Sequence, residues 1–487
     1  MSRVSVCLAA ALFLACNADR SSPPPLADAE FDAQIFDAAG PDFGPSPAPA
    51  PGPRVTRRVE ERVNDPLRLG LYARNPADGA HFAVSGEARF FSAELSRLLP
   101  VLVYARRVST GSIDPTASLV VEPVHLRGRG LRSADIGAQL RMDELVRRTL
   151  LDNDRTAEAM LVEQLGGVPA VEAVIREWAI DGIDGYLEPC ERDRAFAEGL
   201  DPRFQQVDCG ALGAYLHAED PRGLSPLPFP TPPEFDPATR LSAMKALDDM
   251  PRGSSTPRGW GQLLTRLAHR TLQGGVPDAW LLDLLDDCLG AAGGGDGVPP
   301  SAWVGAIGST GYGGTHWLGH VRRGDEAFVG VVHLVHSEGN QGQTVSDLVG
   351  AAWTDLMDTR DAWPPIPLAP RHGFHSAWVL AGEDADGCEQ APARFEDQLR
   401  CRRDAATGVF ASHARTAVSV ILQASPAVEI AWFWSGPDGR RRRFQRRLES
   451  GPWWVWTRGH RPLASGEWHA VIYVNGDAQS VTPFTVR

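Results

Sequence analysis

Residues 150–167 read LLDNDRTAEAMLVEQLGG, and the fold is decided on this stretch. Asp152-Asn153-Asp154 is a polar turn that can cap a helix by accepting hydrogen bonds from free backbone N–H groups. Ala157, Met160, Leu161 and Leu165 then fall at i, i+3, i+4 and i+8, the spacing of one buried helical face. Gly166-Gly167 ends that helix. Pro169 suits the first turn of the next, whose apolar stripe is Val171, Val174, Ile175 and Trp178. Periodicity alone predicts an αα-hairpin.

The neighbouring segments extend the pattern. Upstream, Gly128-Arg129-Gly130-Leu131 forms a glycine-rich turn, followed by a helix with Met142, Leu145, Val146 and Thr149 on one face. Farther upstream, Leu95, Leu98, Leu99, Leu102 and Val103 make an apolar stripe within FFSAELSRLLPVLVYARRVSTG. Leu69–Ala73 and His81–Val84 read as a hairpin around Pro76-Ala77-Asp78-Gly79. Downstream, Ser254-Ser255-Thr256-Pro257 caps a helix whose buried stripe is Trp260, Leu263, Leu264 and Leu267. Gly308 to Thr315, GSTGYGGT, precedes strands at Gly319–Val321 and Ala327–Val335 and a helix at Thr344–Met357.

In order and spacing this series resembles the class A β-lactamases and the related penicillin-binding transpeptidases. That family carries S-x-x-K, S-D-N, a Gly-Gly break, D-T-T-T-P and K-T-G. Matching AELSRLLPVL to the family's A-S-x-x-K-L-P-V-L puts Glu94 at the serine and Arg97 at the lysine, with Pro100 one residue late. Leu151-Asp152-Asn153 stands at S-D-N, and Ser309-Thr310-Gly311 at K-T-G. The resemblance implies an α/β (α+β) domain, an antiparallel sheet flanked by helices, over residues 56–360.

The chemistry implied by the family is departed from at each motif. Its serine attacks a lactam or peptide carbonyl while its lysine helps take the proton. Lys245 is the only lysine in the chain. A guanidinium stays protonated and cannot serve as that base. Glu94 and Arg97 instead read as an i, i+3 ion pair. Ser92 and Ser96 are the nearby surrogate hydroxyls. Leu151 cannot relay a proton, Asn153 reads first as a cap and second as a ligand, and Ser309 removes the charge that would hold a substrate carboxylate. Residues 181–250 read as a long loop-rich segment. It lacks the E-x-x-L-N that supplies the family's deacylating glutamate, although Glu188 and Glu234 lie in it. His316/His320 and His333/His336 hint at a metal, but strand alternation scatters them between faces, so no metal and no cofactor is expected.

The chain of 487 residues has room for two or three domains, and its net charge of −13 argues against a nucleic-acid surface. Arg3 and the apolar run Val4–Leu14 read as a secretory signal, too short to span a bilayer. Leu14-Ala15-Cys16 resembles the end of a bacterial lipobox, with Phe13 where leucine is usual. The expectation is a signal peptide over 1–16, lipidation at Cys16, and a Pro/Ala-rich tether over 17–55. Export suggests an oxidising compartment. Proximity in sequence pairs Cys190 with Cys209 and Cys388 with Cys401, leaving Cys288 a buried thiol.

AWPPIPLAP, residues 362–370, marks a boundary, and 361–487 read as a small immunoglobulin-like β-sandwich. Its strands are expected at 417–423, 428–434, 440–448, 453–457, 467–474 and 481–486, with hairpin turns at Gly436–Gly439 and Asn475-Gly476. Arg440–Arg443, Arg446 and Arg447 with Trp453, Trp454 and Trp456 read as edge-strand cations and core aromatics, or as a binding face for an anionic or glycan polymer. Together these readings predict an envelope lipoprotein with a catalytically degenerate body that binds peptidoglycan or an envelope protein. The rivals are a working serine hydrolase with a displaced nucleophile and a purely structural scaffold.

Overall fold

The computed structural model of the protein describes residues 51–64, 67–217, 230, 232–288, 298, 302–323, 326–337 and 341–357. Beyond these it describes the strands between 374 and 486 together with residues 465 and 487. The expected signal, Cys16 and most of the tether lie outside the described residues, as do Cys388 and Cys401.

Helix α1 (Pro53–Arg62) opens the described chain, and Asp355 accepts hydrogen bonds from the N–H groups of Val55 (2.9 Å) and Arg54 (3.3 Å). Strands β1 (Arg68–Arg74) and β2 (His81–Val84) form the expected hairpin. Short β3 (Phe90–Phe91) leads through a 3-10 turn, Ala93–Arg97, into α2 (Leu98–Ser109). A small hairpin, β4 (Ser118–Val120) and β5 (Gln139–Arg141), precedes α3 (Met142–Leu151), α4 (Arg155–Gln164) and α5 (Gly167–Trp178). The opening stretch thus folds as read: α4 and α5 are the αα-hairpin, with Gly166 and Gly167 both at positive φ between them.

The next segment corrects the sequence reading. Among its described residues, 181–250 hold three α-helices, α6 (Pro189–Leu200), α7 (Cys209–His217) and α8 (Pro237–Asp248), while 218–229 and 231, most of the proline-rich run, lie outside the described residues. Pro189 and Pro237 are the first residues of α6 and α8 rather than breakers, because a first-turn residue needs no N–H. Glu188 and Glu191 form a capping box on α6, and Asp236 accepts from Thr239 N–H at 2.9 Å to cap α8. The Cys190–Cys209 disulfide joins the first turns of α6 and α7, while Cys288 is free and buried.

Short β6 (Ser254–Ser255) pairs with β3, and α9 (Pro257–Ala268) starts at Thr256, whose hydroxyl accepts from Gly259 N–H at 3.0 Å. After α10 (Val276–Asp286) come β7 (Trp303–Gly311), β8 (Gly314–Arg323), β9 (Glu326–Val335) and α11 (Gly342–Met357). Strand β8 begins five residues earlier than expected, because Gly311 to Gly314 make a tight hairpin rather than a loop. The sheet runs β2-β1-β9-β8-β7, every neighbouring pair antiparallel, with β7 at an edge. Alternation buries both faces. Leu71, Ala73, Trp317 and Val332 pack with Val55 of α1 and Val345, Val349 and Trp353 of α11. Tyr72, Ile307, Leu318 and Val331 pack with α2, α9 and α10 on the other side.

Beyond residue 373 the strands form two sheets. Strands β10 (Phe374–Ala381), β12 (Thr416–Ala424) and β15 (Gly451–Arg458) make one. Strands β11 (Val409–Phe410), β13 (Val428–Ser435), β14 (Arg441–Leu448), β16 (Gly466–Val474) and β17 (Asp477–Val486) make the other, ordered β11-β17-β16-β13-β14. The six expected strands are present; β10 and β11 were not read from sequence. The arginine run lies on β14 and the tryptophans on β15, in different sheets.

The glycine-rich turn before α3 shows how closely the helices are fitted. Gly130 has φ +89°, and a Cβ there would lie 2.0 Å from the Asp154 carboxylate, the N-cap of α4. Gly130→Ala is expected to lower stability by at least about 2 kcal/mol, through backbone strain and loss of the cap. Urea denaturation measures it; an unchanged midpoint would refute the reading of this turn.

Candidate active site

The regions matched to S-x-x-K, S-D-N and K-T-G meet. The 3-10 turn that carries Glu94 follows Ala93, held at φ +47°, and packs against β7 and β8. Glu94 is 2% exposed. Asn153, also left-handed at φ +53°, donates its side-chain amide to Glu94 Oε2. This corrects the cap reading of Asn153. An N-cap residue needs extended backbone, which Asp154 has, and Asp154 accepts from Ala157 N–H at 3.0 Å.

Around Glu94 stand guanidinium groups. Arg97 Nη1 lies 3.8 Å away and Arg129 Nη1 3.9 Å away, ion pairs rather than hydrogen bonds. The i, i+3 pair read from the sequence therefore exists, but it is loose. Burial opposes ionisation of Glu94; the fields of Arg155, Arg129, His217 and Arg97 outweigh it and hold its pKa down at about 2. Glu94 is thus a carboxylate. Burial lowers the pKa of Arg97 and Glu94 opposes that shift, and Arg97 Nε finds no hydrogen-bond partner.

Behind this pair lies a crossed set of buried charges that the sequence reading missed. Arg155 and Glu158 sit three residues apart on α4, facing Arg192 and Asp193 on α6. Arg155 bonds Asp193 at 2.8 Å and Arg192 bonds Glu158 at 2.6 Å, all four side chains essentially without solvent. Asp193 also accepts from the Tyr312 hydroxyl and contacts His217 Nε2, both at 2.7 Å. Burial would raise the Asp193 pKa, yet Arg155 and His217 hold it well below the usual carboxylate range. Arg155 donates further to Tyr312 Oη (2.9 Å) and the Pro189 carbonyl (2.7 Å). Tyr312, at φ +50° in the β7–β8 hairpin, is walled by the rings of Phe91, Phe196 and His217. The signal available in sequence was one opposite-charge pair of helical spacing, Arg155 and Glu158; Arg192 and Asp193 are adjacent in sequence and fell within the loop reading of 181–250.

The remaining motif positions carry no reactive pair. Leu151 packs against the helical core. Ser309 is 1% exposed and its hydroxyl has no partner, while Thr310 is exposed and Gly311 partly so. Ser92 Oγ lies 2.5 Å from Ser255 Oγ, which also receives the Trp260 indole N–H. Ser96 donates to the Ala93 carbonyl at 2.7 Å and accepts from Arg192. Each surrogate hydroxyl is held by groups that cannot take its proton. Glu188 caps α6 and lies 3.7 Å from Arg127; burial raises its pKa.

The histidines require a second correction. His316 and His333 face each other across β8 and β9 on one face, Nδ1 to Nδ1 at 3.0 Å. The in-register pairing of the two strands, invisible to single-strand alternation, joins them. Burial lowers the His316 pKa to about 4 and that of His333 well below its ordinary value, so both are neutral and one Nδ1 donates to the other. His320 contacts Asp286 at 2.9 Å and His336 contacts Asp248 at 3.1 Å. Among the described residues no three His, Cys, Asp or Glu side chains are placed to hold a metal ion.

Replacing Glu94 tests the network. The depressed pKa means that its contribution is present above about pH 4.5 and is lost as pH falls toward 2. Glu94→Gln is expected to cost on the order of 3 kcal/mol at pH 7. The gap to the native protein should narrow below pH 4.5. Chemical denaturation at pH 7, 4 and 3 measures this; a gap independent of pH would contradict the assignment of an ionised carboxylate.

The profile of the family described as Beta-lactamase2, the Beta-lactamase enzyme family, matches residues 54–353. Among solved structures the chain is similar to PBP-A, at 14% identity and TM-score 0.47, over 64% of this chain and 99% of that one. It is similar to a mutant of the class A β-lactamase of the last common ancestor of Gram-negative bacteria, at 18% identity and TM-score 0.47, over 63% and 98%. It is also similar to the β-lactamase of Sphaerobacter thermophilus DSM 20745, at 17% identity and TM-score 0.46, over 64% and 98%. No curated protein matches. The family match spans most of the chain and covers the 3-10 turn, the αα-hairpin and the β7–β8 hairpin built above: the chain belongs to the Beta-lactamase enzyme family.

Proposed function

We propose that this protein is a catalytically silent member of its family, an exported lipoprotein that binds a cell-wall component or an envelope protein rather than hydrolysing a lactam. The observation that carries this reading is Glu94: an ionised, buried carboxylate at the nucleophile's position, surrounded by guanidinium groups. Acylation needs a nucleophile, a base and a cation to seat the substrate carboxylate. Glu94, Arg97 and Ser309 occupy those places, Leu151 stands where the family's proton-relaying serine would be, and the Glu94 carboxylate offers no hydroxyl to acylate.

The lipoprotein reading rests on the apolar run ending in Cys16 and the tether that follows, with membrane attachment in the cell envelope through the lipid. The C-terminal sheets support an immunoglobulin-like sandwich. Three strands oppose five, and β11 pairs parallel with β17 while every other pairing is antiparallel. Buried Trp434 lies on β13, which crosses from one sheet to the other after β12, as the core tryptophan of such domains does. The domain limits 56–360 and 361–487 belong to the same reading.

Loss of a coupled nucleophile and base costs on the order of a millionfold in rate. The purified protein is therefore expected to show no nitrocefin turnover and no penicillin adduct by intact mass. A stable adduct on Ser92 or Ser96 would establish the rival hydrolase with a displaced nucleophile. Glu94→Ser with Arg97→Lys should stay nearly inactive while Leu151 and Ser309 are unrepaired.

Metabolic labelling with a fatty acid in a bacterial host is expected to mark the protein, and Cys16→Ser to abolish the mark. An unlabelled, soluble native protein would refute the anchor.

A further inference from the structure

Strand β7 is the edge of its sheet, and such an edge presents N–H and C=O groups that invite another strand. Two elements reach it. Where the chain leaves α10, the Cys288 carbonyl accepts from Ala306 N–H at 3.5 Å. At Val304 the partner is a side chain from the C-terminal sheets. Val304 N–H donates to Gln445 Oε1 at 3.1 Å, and Gln445 Nε2 donates to the Val304 carbonyl. The same Nε2 lies 3.4 Å from the Asp286 carbonyl. A primary amide offers one acceptor and two donors, so a single glutamine makes both bonds that a neighbouring strand would make to one residue.

Gln445 lies on β14, itself the edge of the five-stranded sheet. At period two that strand reads Arg441, Arg443, Gln445, Arg447, so the clamp residue is the uncharged position in a basic row. The segment it meets, the end of α10, carries Asp283 and Asp287 on either side of Asp286, whose carboxylate is already held by His320 and Arg322. We propose that the C-terminal sheets dock on the first domain edge to edge through this clamp, guided by the opposite charges. The β7 edge is then an intramolecular interface, closed at Val304 to strand addition by another chain.

Amide hydrogen exchange on the full-length protein reads this directly. In the native protein, peptides covering 303–307 should be protected. Gln445→Ala and Gln445→Glu should each exchange at least about tenfold faster there, since a carboxylate accepts from Val304 N–H but cannot donate to its carbonyl. Protection of β13 and β16 should persist, which separates undocking from unfolding of the sheets. Native protein at 1 M salt, which screens the charge match without any substitution, should also exchange faster at 303–307. Unchanged exchange at 303–307 in the variants with β13 and β16 intact overturns the clamp. Should a variant lose the sheets, unchanged exchange of the native protein in salt overturns the docking.

Discussion

A carboxylate with almost no solvent, fixed among guanidinium groups, is the constraint on which the rest of this structure depends. Glu94 draws on Arg97 of its own turn, on Arg129 before α3, on Arg155 of α4 and on the Asn153 amide. Arg155 in turn is shared with Asp193 of α6 and Tyr312 of the β7–β8 hairpin. One set of charges thus ties the 3-10 turn, two helices and the sheet. Buried ion pairs repay little more than their own desolvation, but removing one partner leaves a costly uncompensated charge. The network therefore specifies where these elements sit more than it stabilises them.

The scaffold and the chemistry were separable because different residues hold them. The Asp154 cap, Gly130 beneath it, the Thr256 cap and the in-register β7–β8 hairpin place the motif segments without any reactive group. A nucleophilic serine and its base can be exchanged for a glutamate and an arginine while those devices persist. The exchange cannot be reversed by one residue, since a guanidinium remains charged where an ammonium can lose its proton.

This division explains what was legible in the sequence. Apolar stripes and caps are local signals, so α2, α3, α4, α5, α9 and strands β1, β2 and β9 were read from spacing, whereas β8 was read only in part and β7 not at all. Glu94 and Arg97 were read as a pair, but not the loose geometry, because hydrogen-bond partners come from distant segments. Asn153 was misread because a turn residue and a cap look alike until φ is known. The helices α6 and α8 were hidden by prolines, Pro189 and Pro237, that start helices as well as break them. His316 and His333 needed the strand register, a non-local quantity.

Asp193 shows why the hidden segment matters to the site. The family resemblance placed a loop with a deacylating glutamate in this region; here α6 presents a hub carboxylate that holds Arg155, Tyr312 and His217 at once. A hub of three partners requires a backbone that cannot drift. Asp193 lies one helical turn from Cys190, whose disulfide to Cys209 pins the start of α6 to the start of α7, the helix that ends at His217. The covalent link thus fixes both the carboxylate and one of its partners, and closing a loop of 19 residues costs the unfolded chain entropy of about 3 kcal/mol. The segment is thereby made a wall of the buried network, and its rigidity comes from the covalent link and the buried charges together.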